Sequence, residues 1–423
     1  MDLIIKNALL PGADAPVDIG VKKGKVSAVE MRIDGQAAQT IDAGQRLVSP
    51  PFIDPHLHLD AALTLGQPGY NISGSHPEGI RVWGDYKKAY PQFEDMEKRV
   101  RQAVSWAVVH GTLYVRTHID ICDPNLTALK KMLVLKKELA DLVTIQTVAF
   151  PQDGLLADPK AMDLLIEALD LGVDLIGGIP HCELTREEGV QSVRDIFNLA
   201  EKYDRPIDIH CDETDDDHSR FIEVIAAEAF RRGLGSRVSA GHTTSMHSFN
   251  NAYAHKLIDL VRKSDINIIS NPLDNSVLQA RFDTYPKRRG LTRIKELLAA
   301  GVNVSLGHDS VMDPWYPLGK ADMLQVAWLA VHMGHMSGFD EISTMYQTIT
   351  DNAAKAFGLT DYGIRPGNTA DLIILDCASV YDAIRLSPAR LYVIKSGKVI
   401  ARTRPAEHTI QSQESSRNIH LNL

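Results

Sequence analysis

The chain has 423 residues, of which 44% are hydrophobic and 23% are charged, a composition typical of a soluble globular protein with one large and one smaller domain. Its formal net charge of −9 provides no attraction for the phosphates of nucleic acid or for anionic lipid, so we expect neither as a partner. The amino terminus has no pattern typical of a secretory signal, and no apolar stretch is long enough to span a bilayer. Since its cysteines are scattered without a CxxC pair, we expect a cytoplasmic protein with reduced thiols.

Short apolar, β-branched segments alternate with helical patterns along most of the chain. Eight segments have the length and composition of buried parallel strands: 52–59, 112–119, 143–150, 173–180, 206–211, 237–242, 266–270 and 302–309. Helical patterns lie between them, among them 94–110, 124–140, 186–203 and 217–233. Asp123-Pro124 and Asp158-Pro159 predict helix starts. Eight alternating units predict an α/β fold, a (β/α)8 TIM barrel over residues 50–362.

The two ends of the chain have a different pattern, with short β segments separated by glycine turns. GKVSAV at 24–29 and GKVIA at 397–401 share a polar turn followed by a small apolar strand. We therefore expect residues 1–49 and 363–423 to form one composite β-sandwich domain packed against the barrel. The polar segment from Glu407 onward is expected to be a surface arm.

Polar side chains fall at or just beyond the C-terminal ends of the predicted strands. They are His56, His58, His118, Gln152, His210, His242 and Asp309. In a TIM barrel these ends meet at one face, where the active site is built. Alternate residues of a strand share a face, so His56 and His58 can reach one ion, although an HxH pair by itself is a weak signal.

Glu213 lies three residues beyond His210, where its carboxylate can move protons without being a ligand. A set of three histidines and one aspartate suits Zn²⁺ or Fe²⁺ better than Mg²⁺ or Ca²⁺, which prefer oxygen ligands. Such an ion lowers the pKa of water to about 7 and so provides hydroxide at neutral pH. The sequence therefore predicts a hydrolytic metal centre.

Longer motifs run through the chain in a fixed order: PPFIDPHLHLD, VRTHID, AFPQDG, IPHCELTREEGV, DIHCDETDDDHSRF, GHTTSMHS, ARFDTYPKRRG and GHDSVMDPWYPLG. Together they resemble bacterial cytosine deaminase, of the amidohydrolase superfamily, from about residue 45 to the GNTADLIIL segment. The resemblance implies a single divalent ion, Zn or Fe(II), with ligands His56, His58, His210 and Asp309. The absence of lysine from residues 161–185 agrees with a single ion, since binuclear relatives use a carboxylated lysine there.

The same resemblance implies roles for the residues around the ion. Glu213 would carry a proton from water to a ring nitrogen, His242 would orient the hydroxide with Asp309 beside it, and the amide of Gln152 would bind the carbonyl and N–H edge of a pyrimidine. His118 is expected to support the site from behind. We also expect His181 and Trp315 to contact the substrate. The alternative for His181 is a hydrogen-bonded residue of the pocket wall, and the alternative for Trp315 is packing in the core. Phe150 could flank a flat ring together with Trp315, or it could pack in the core.

One position departs from the family pattern. Cytosine deaminases read GHDD after the eighth strand, whereas this chain has His308-Asp309-Ser310. Replacing the second carboxylate by a hydroxymethyl group frees space beside the substrate, so we expect 5-methylcytosine to be the preferred base, with cytosine also accepted. The alternatives are an amine-releasing hydrolase on another heterocycle (isoguanine, isocytosine or an aminotriazine) and a non-catalytic metal-binding protein, which would need neither Glu213 nor His242. The expected partners are a small nucleobase and further copies of the chain in a homo-oligomer.

Overall fold

In the computed structural model, which describes residues 1–411 and 416–419, five short strands precede the barrel. They are β1 (Leu3–Ala8), β2 (Val17–Lys22), β3 (Lys25–Glu30), β4 (Gln39–Asp42) and β5 (Val48–Ser49). The first four form one sheet in the order β3-β2-β1-β4, with β1 and β4 parallel and the other pairs antiparallel. β5 joins a second sheet, formed with strands from the other end of the chain.

The largest sheet is the barrel, in which all eight predicted strands are confirmed. They are β6 (Phe52–Leu57), β7 (Thr112–Asp120), β8 (Thr144–Phe150), β9 (Leu175–Gly178), β10 (Ile207–Cys211), β11 (Val238–His242), β12 (Asn267–Ser270) and β13 (Asn303–Leu306). Neighbours along the chain pair in parallel throughout. The barrel closes just after β13, where the Asp309 N–H donates to the His56 carbonyl at 2.8 Å and the His58 N–H donates to the Asp309 carbonyl at 3.0 Å.

Helices fill the connections between the barrel strands and continue beyond β13. They are α1 (His76–Ala89), α2 (Met96–Val109), α3 (Thr127–Glu138), α4 (Ala161–Asp170), α5 (Arg186–Tyr203), α6 (Phe221–Arg232), α7 (Asn251–Ser264), α8 (Pro272–Leu278), α9 (Ile294–Ala299), α10 (Met323–Met333), α11 (Phe339–Gln347), α12 (Asp351–Phe357) and α13 (Val380–Leu386). The four helices predicted by pattern are confirmed. Thr185 caps the start of α5 with a capping box. The Thr185 hydroxyl accepts from the backbone N–H of Glu188, and the Glu188 carboxylate accepts from the backbone N–H of Thr185.

The helix starts predicted at the two Asp-Pro pairs are wrong. α3 begins at Thr127 and α4 at Ala161, each beyond its proline. The aspartates instead stabilise the turns that lead into the helices, because the carboxylate of Asp123 accepts from the Thr127 N–H and that of Asp158 accepts from the Lys160 N–H.

The C-terminal part adds β14 (Leu372–Leu375), β15 (Arg390–Lys395), β16 (Lys398–Arg402), β17 (His408–Gln411) and β18 (Ser416–Ile419). The second terminal sheet has the order β16-β15-β14-β5. Both terminal sheets contribute to one apolar core, separate from that of the barrel: Leu3, Ile5, Ala8, Ile19, Val21, Val26, Ile41, Ala43, Val48, Ala370, Leu372, Ile374 and Ile394. The composite sandwich is therefore confirmed, while the boundaries 1–49, 50–362 and 363–423 stay a prediction.

The predicted surface arm is described only in part. β17 and β18 pair as an antiparallel hairpin, and the side chains of β17 are exposed. The rest of this segment, residues 412–415 and 420–423, lies outside the described residues. Within the part of the chain that is described, no helix combines the length and the apolarity that crossing a membrane requires.

A buried arginine crosses the inside of the barrel below the site. Arg116 on β7 donates to the carboxylate of Asp208 on β10 at 2.7 Å, to the side chain of Gln146 at 3.0 Å and to the carbonyl of Ala356 at 2.7 Å. Its side chain is 3% exposed, so these contacts replace water around a full charge. The arginine therefore links the barrel strands to the helix that closes their N-terminal end.

We expect Arg116→Met to lower the free energy of unfolding by about 3–5 kcal/mol, because the substitution leaves the carboxylate of Asp208 buried without its partner. Urea denaturation measures the change. Arg81→Met is the matched control, since Arg81 pairs with Glu78 and Asp85 on the surface and its loss should cost less than about 1 kcal/mol. Equal effects of the two substitutions would contradict the structural role given to Arg116.

Candidate active site

The four residues implied as metal ligands come together at the C-terminal end of the barrel. His56 and His58 belong to β6 and the residue after it, His210 to β10, and Asp309 follows β13. Their four ligand atoms all lie within 4.8 Å of one another. Nε2 of His210 is 3.2 Å from Nε2 of His56 and 3.0 Å from Nε2 of His58, and Asp309 Oδ1 is 3.5 Å and 3.4 Å from the same two atoms.

The chemistry of these donors fits a divalent ion. Burial lowers the pKa values of His56, His58 and His210 well below 6.5, and neighbouring imidazoles lower them further, so the rings are neutral. Nitrogen lone pairs and a carboxylate oxygen that face one another at these distances repel unless a proton or a cation lies between them, and a metal ion is the one partner that all four can share. Three nitrogen ligands and one oxygen ligand form the set that zinc and ferrous iron accept in proteins.

The turns that present the site residues have an unusual backbone conformation. Asp212, His242 and Asp309 have φ values of 52°, 65° and 70°, in the left-handed region that side chains other than glycine rarely adopt. Asp212 is held there because its carboxylate accepts from the N–H groups of Phe221 and Ile222 at the start of α6. A sharp turn therefore follows each of β10, β11 and β13 at the C-terminal end of the barrel. Glu213 comes directly after the turn at Asp212.

Glu213 and His242 form a contact pair beside the four donors. Glu213 Oε1 is 3.3 Å from Nδ1 of His242 and accepts a hydrogen bond from Nδ2 of Asn275 at 3.2 Å, while His242 Nδ1 is 3.7 Å from Asp309 Oδ2. Burial, and after it the nearby carboxyl of Asp274, raises the pKa of Glu213 well above 4.5. A carboxyl group in this setting can hold a proton and release it, as a general acid and base must.

The donors open into a cavity at the barrel mouth. Its lining residues are His58, His76, Gln152, Ile179, His210, Glu213, His242, Asp274, Leu278, Asp309, Ser310 and Trp315. Gln152, Ser310 and Trp315 therefore lie where the sequence analysis expects substrate contacts. His181 is not among the lining residues, and its expected contact with the substrate stays a prediction. Phe150 stacks on the ring of His210 with centroids 4.0 Å apart and is not among the residues that line the cavity.

Close packing around the site requires glycine at two positions. A Cβ atom at position 307 would lie 2.6 Å from Cβ of His56 and 2.5 Å from Oδ1 of Asn271. At position 79 on α1, a Cβ atom would lie 2.6 Å from the indole of Trp315. Behind the ligands, the ring of His118 lies 4.2 Å from that of His56, and its Nε2 is 3.5 Å from a carboxylate oxygen of Asp208.

The cavity wall at Ser310 contains a second polar side chain. The Ser310 hydroxyl donates to Oδ2 of Asp274 at 2.6 Å, and Asp274 itself is 2% exposed. Oδ1 of Asp274 has no hydrogen-bond partner among the described residues. A carboxyl group from α8 therefore lies beside the serine, a contact that the sequence analysis did not identify.

Several residues of the site were not predicted. Asn271, Asp274 and Asn275 lie in and around the first turn of α8, directly after β12, so the rule that polar residues follow strand ends would have identified them. His76 is the first residue of α1, and its Nε2 lies 3.8 Å from Glu213 Oε2. No strand-end pattern marks His76, because a long loop separates it from β6.

Comparison with known proteins agrees with this geometry. The model of the amidohydrolase family matches residues 39–156 and 86–402. The structure of 5-methylcytosine deaminase from Klebsiella pneumoniae liganded with phosphonocytosine superposes with a TM-score of 0.92 at 43% identity, covering 95% of this chain and 99% of that one.

Two further relatives carry different names. N-isopropylammelide isopropyl amidohydrolase from Pseudomonas sp. strain ADP is 31% identical over 95% of this chain and 97% of its own length. Pterin deaminase from Rhizobium rhizogenes is 29% identical over 96% of this chain and 87% of its own length. Proteins similar to this chain over most of its length are therefore named for different flat, nitrogen-containing substrates.

We expect His58→Ala to weaken metal binding by more than about tenfold, because the substitution removes one of four converging donors. Metal content after dialysis, measured by mass spectrometry, and the rise in melting temperature on adding zinc test this. His332→Ala is the control, since His332 is an exposed residue of α10. Native metal content in His58→Ala would overturn the assignment of this ligand.

Proposed function

Because the chain belongs to the amidohydrolase family, we propose that it removes the amino group of cytosine-type pyrimidine bases by metal-dependent hydrolysis and releases ammonia. The observation that carries the proposal is the position of Glu213, which is buried against His242 at 3.3 Å and lines the same cavity as His58, His210 and Asp309. Metal binding alone requires neither Glu213 nor His242. The 43% identity with a 5-methylcytosine deaminase over nearly the whole chain supports a cytosine-type base as the substrate.

One divalent ion, Zn or Fe(II), is proposed to be held by His56, His58, His210 and Asp309. The four donor atoms lie within 4.8 Å of one another, close enough to share one ion, and the absence of lysine from residues 161–185 supports a single ion. When bound, such an ion supplies Lewis-acid activation of water. The cytoplasmic location and the homo-oligomer expected from the sequence stay predictions.

The proposed steps on the protein side begin with Glu213. Its carboxylate accepts a proton from the attacking water and passes it to the ring nitrogen next to C4, as oxygen adds to C4. Glu213 then takes the proton of the new C4 hydroxyl and delivers it to the amino group; the C4–N bond breaks, ammonia leaves, and a carbonyl remains on the ring. His242, close to both Glu213 and Asp309, orients the attacking oxygen.

Recognition of the base is proposed to depend on the opposite side of the cavity. The amide of Gln152 both donates and accepts hydrogen bonds, so it can pair with the ring carbonyl and the adjacent N–H. Gln152 is 7% exposed, and a buried amide rejects rings that leave it unpaired. The indole of Trp315 offers a flat apolar surface to the ring.

A second candidate function is hydrolysis of an aminotriazine. The observation in its favour is the 31% identity with N-isopropylammelide isopropyl amidohydrolase over 95% of the chain. The same ion, Glu213 and amide would serve both reactions. Ammonia release from cytosine and 5-methylcytosine, compared with amine release from N-isopropylammelide, distinguishes the two.

We expect Glu213→Gln to keep the metal and to lower kcat by about 10²–10⁴-fold, because the amide cannot carry the proton. Ammonia release and metal content are measured on the same preparation. Glu183→Gln is the control, since the carboxylate of Glu183 accepts from the backbone N–H groups of residues 155–157 and takes no part in the proposed proton transfer. A fully metallated Glu213→Gln enzyme with near-native turnover would exclude the proposed role.

We expect the native enzyme to prefer 5-methylcytosine to cytosine by about fourfold in kcat/KM, the worth of burying one methyl group. Ser310→Asp should lower that ratio more than tenfold, because the longer side chain fills the space beside C5 of the base. Ser310→Ala is the size control and should keep the preference. A native enzyme that discriminates against the methyl group, or an unchanged ratio in Ser310→Asp, would refute this basis of selectivity.

A further inference from the structure

The wall formed by Asp274 and Ser310 has unused hydrogen-bonding capacity. The Ser310 hydroxyl is directed to Oδ2 of Asp274 at 2.6 Å, which fixes the carboxyl plane. The other oxygen, Oδ1, has no partner among the described residues, although the side chain is almost fully buried. Both residues line the cavity that holds the metal donors and Glu213.

A buried carboxyl oxygen without a partner is unfavourable, whatever its protonation state. A charged oxygen needs a donor, and a protonated one needs an acceptor. A hydroxyl group can act as either, whereas a methyl group can act as neither. The wall is therefore matched to a substrate that carries a hydroxyl group at this position.

The proposed function fixes which part of the base faces the wall. C4 must lie at the metal donors, because the attacking oxygen adds there. C4 has two neighbours in the ring, and the nitrogen must face Glu213, because Glu213 gives it a proton. The other neighbour is C5, and the residue that follows ligand Asp309 on the cavity wall is Ser310. A substituent on C5 then points toward the Ser310 and Asp274 side chains.

Resting on the proposed function, we propose that Asp274 and Ser310 recognise a hydroxyl group on C5 of the base, so that 5-hydroxymethylcytosine is a better substrate than 5-methylcytosine. The reaction is the same hydrolysis: the C4–N bond breaks, a C4–O bond forms, ammonia leaves, and 5-hydroxymethyluracil is released. The hydroxymethyl group is unchanged, so no oxidant or reductant is required. The wider class is pyrimidine bases with a short hydroxyl-bearing substituent on C5.

The first experiment uses the native metal-loaded enzyme and measures kcat/KM by ammonia release from cytosine, 5-methylcytosine, 5-hydroxymethylcytosine and 5-ethylcytosine. The ethyl base matches the hydroxymethyl base in size and lacks only the hydroxyl. We expect the hydroxymethyl base to exceed the ethyl base by about tenfold, the effect of one buried hydrogen bond, and to exceed the methyl base as well. A hydroxymethyl base that is no better than either overturns the proposal.

The second experiment assigns the effect to the side chain. Asp274→Leu should abolish the preference for the hydroxymethyl base over the ethyl base, and Asp274→Asn, whose amide still forms hydrogen bonds, should keep most of it. His76→Leu is the matched control on another wall of the cavity and should change both bases equally. A preference that survives in Asp274→Leu overturns the assignment; if that variant fails to fold, the native comparison still decides the proposal.

The outcomes also separate this inference from the proposed function. Turnover of cytosine and 5-methylcytosine without preference for the hydroxymethyl base leaves the deaminase proposal intact and rejects only the role of the wall. Absence of ammonia from all of the bases, with metal bound, rejects both.

Discussion

Neutral imidazoles and carboxyl groups held in one buried space at the barrel mouth are the constraint on which the rest of the structure depends. Such groups do not cluster spontaneously, because burial penalises their charges and leaves their lone pairs unpaired. The backbone imposes the arrangement: His56 lies against glycine at position 307, and the left-handed turns at His242 and Asp309 stop the strands at the required points. Below them, Arg116 and Asp208 tie the strands together, so the donors are already in place when an ion arrives.

The barrel was predictable because each of its strands is buried on both faces and therefore appears as a short apolar run. The metal donors were predictable because parallel strands bring their C-terminal ends to one face, and the resemblance then gave individual roles to Glu213 and Gln152. The helix starts were less predictable, since an Asp-Pro pair stabilises a preceding turn as readily as a first helical turn. The contact between Ser310 and Asp274 could not be inferred, because it joins the loop after β13 to α8, and their spacing depends on how α8 packs against the barrel.

The site divides into a part that performs chemistry and a part that selects the substrate. The metal donors and His242 lie at strand ends, where the hydrogen bonds of the sheet fix their positions. His76, Asp274 and Trp315 lie in helices and loops above the strands, outside the hydrogen-bonded sheet. A cavity of this kind can change its substrate through a few wall residues, which agrees with the different flat rings named for relatives of similar overall sequence.

Closure of the barrel by the residues that flank Asp309 has a consequence for how the protein is made. The first two proposed ligands, His56 and His58, are synthesised early, but the backbone bonds that join them to the last strand require Asp309. A nascent chain therefore has an incomplete set of donors and an open sheet until nearly three quarters of it has left the ribosome. The complete set of proposed donors therefore cannot assemble on the first half of the chain, and a site of this geometry forms only once the last barrel strand is in place.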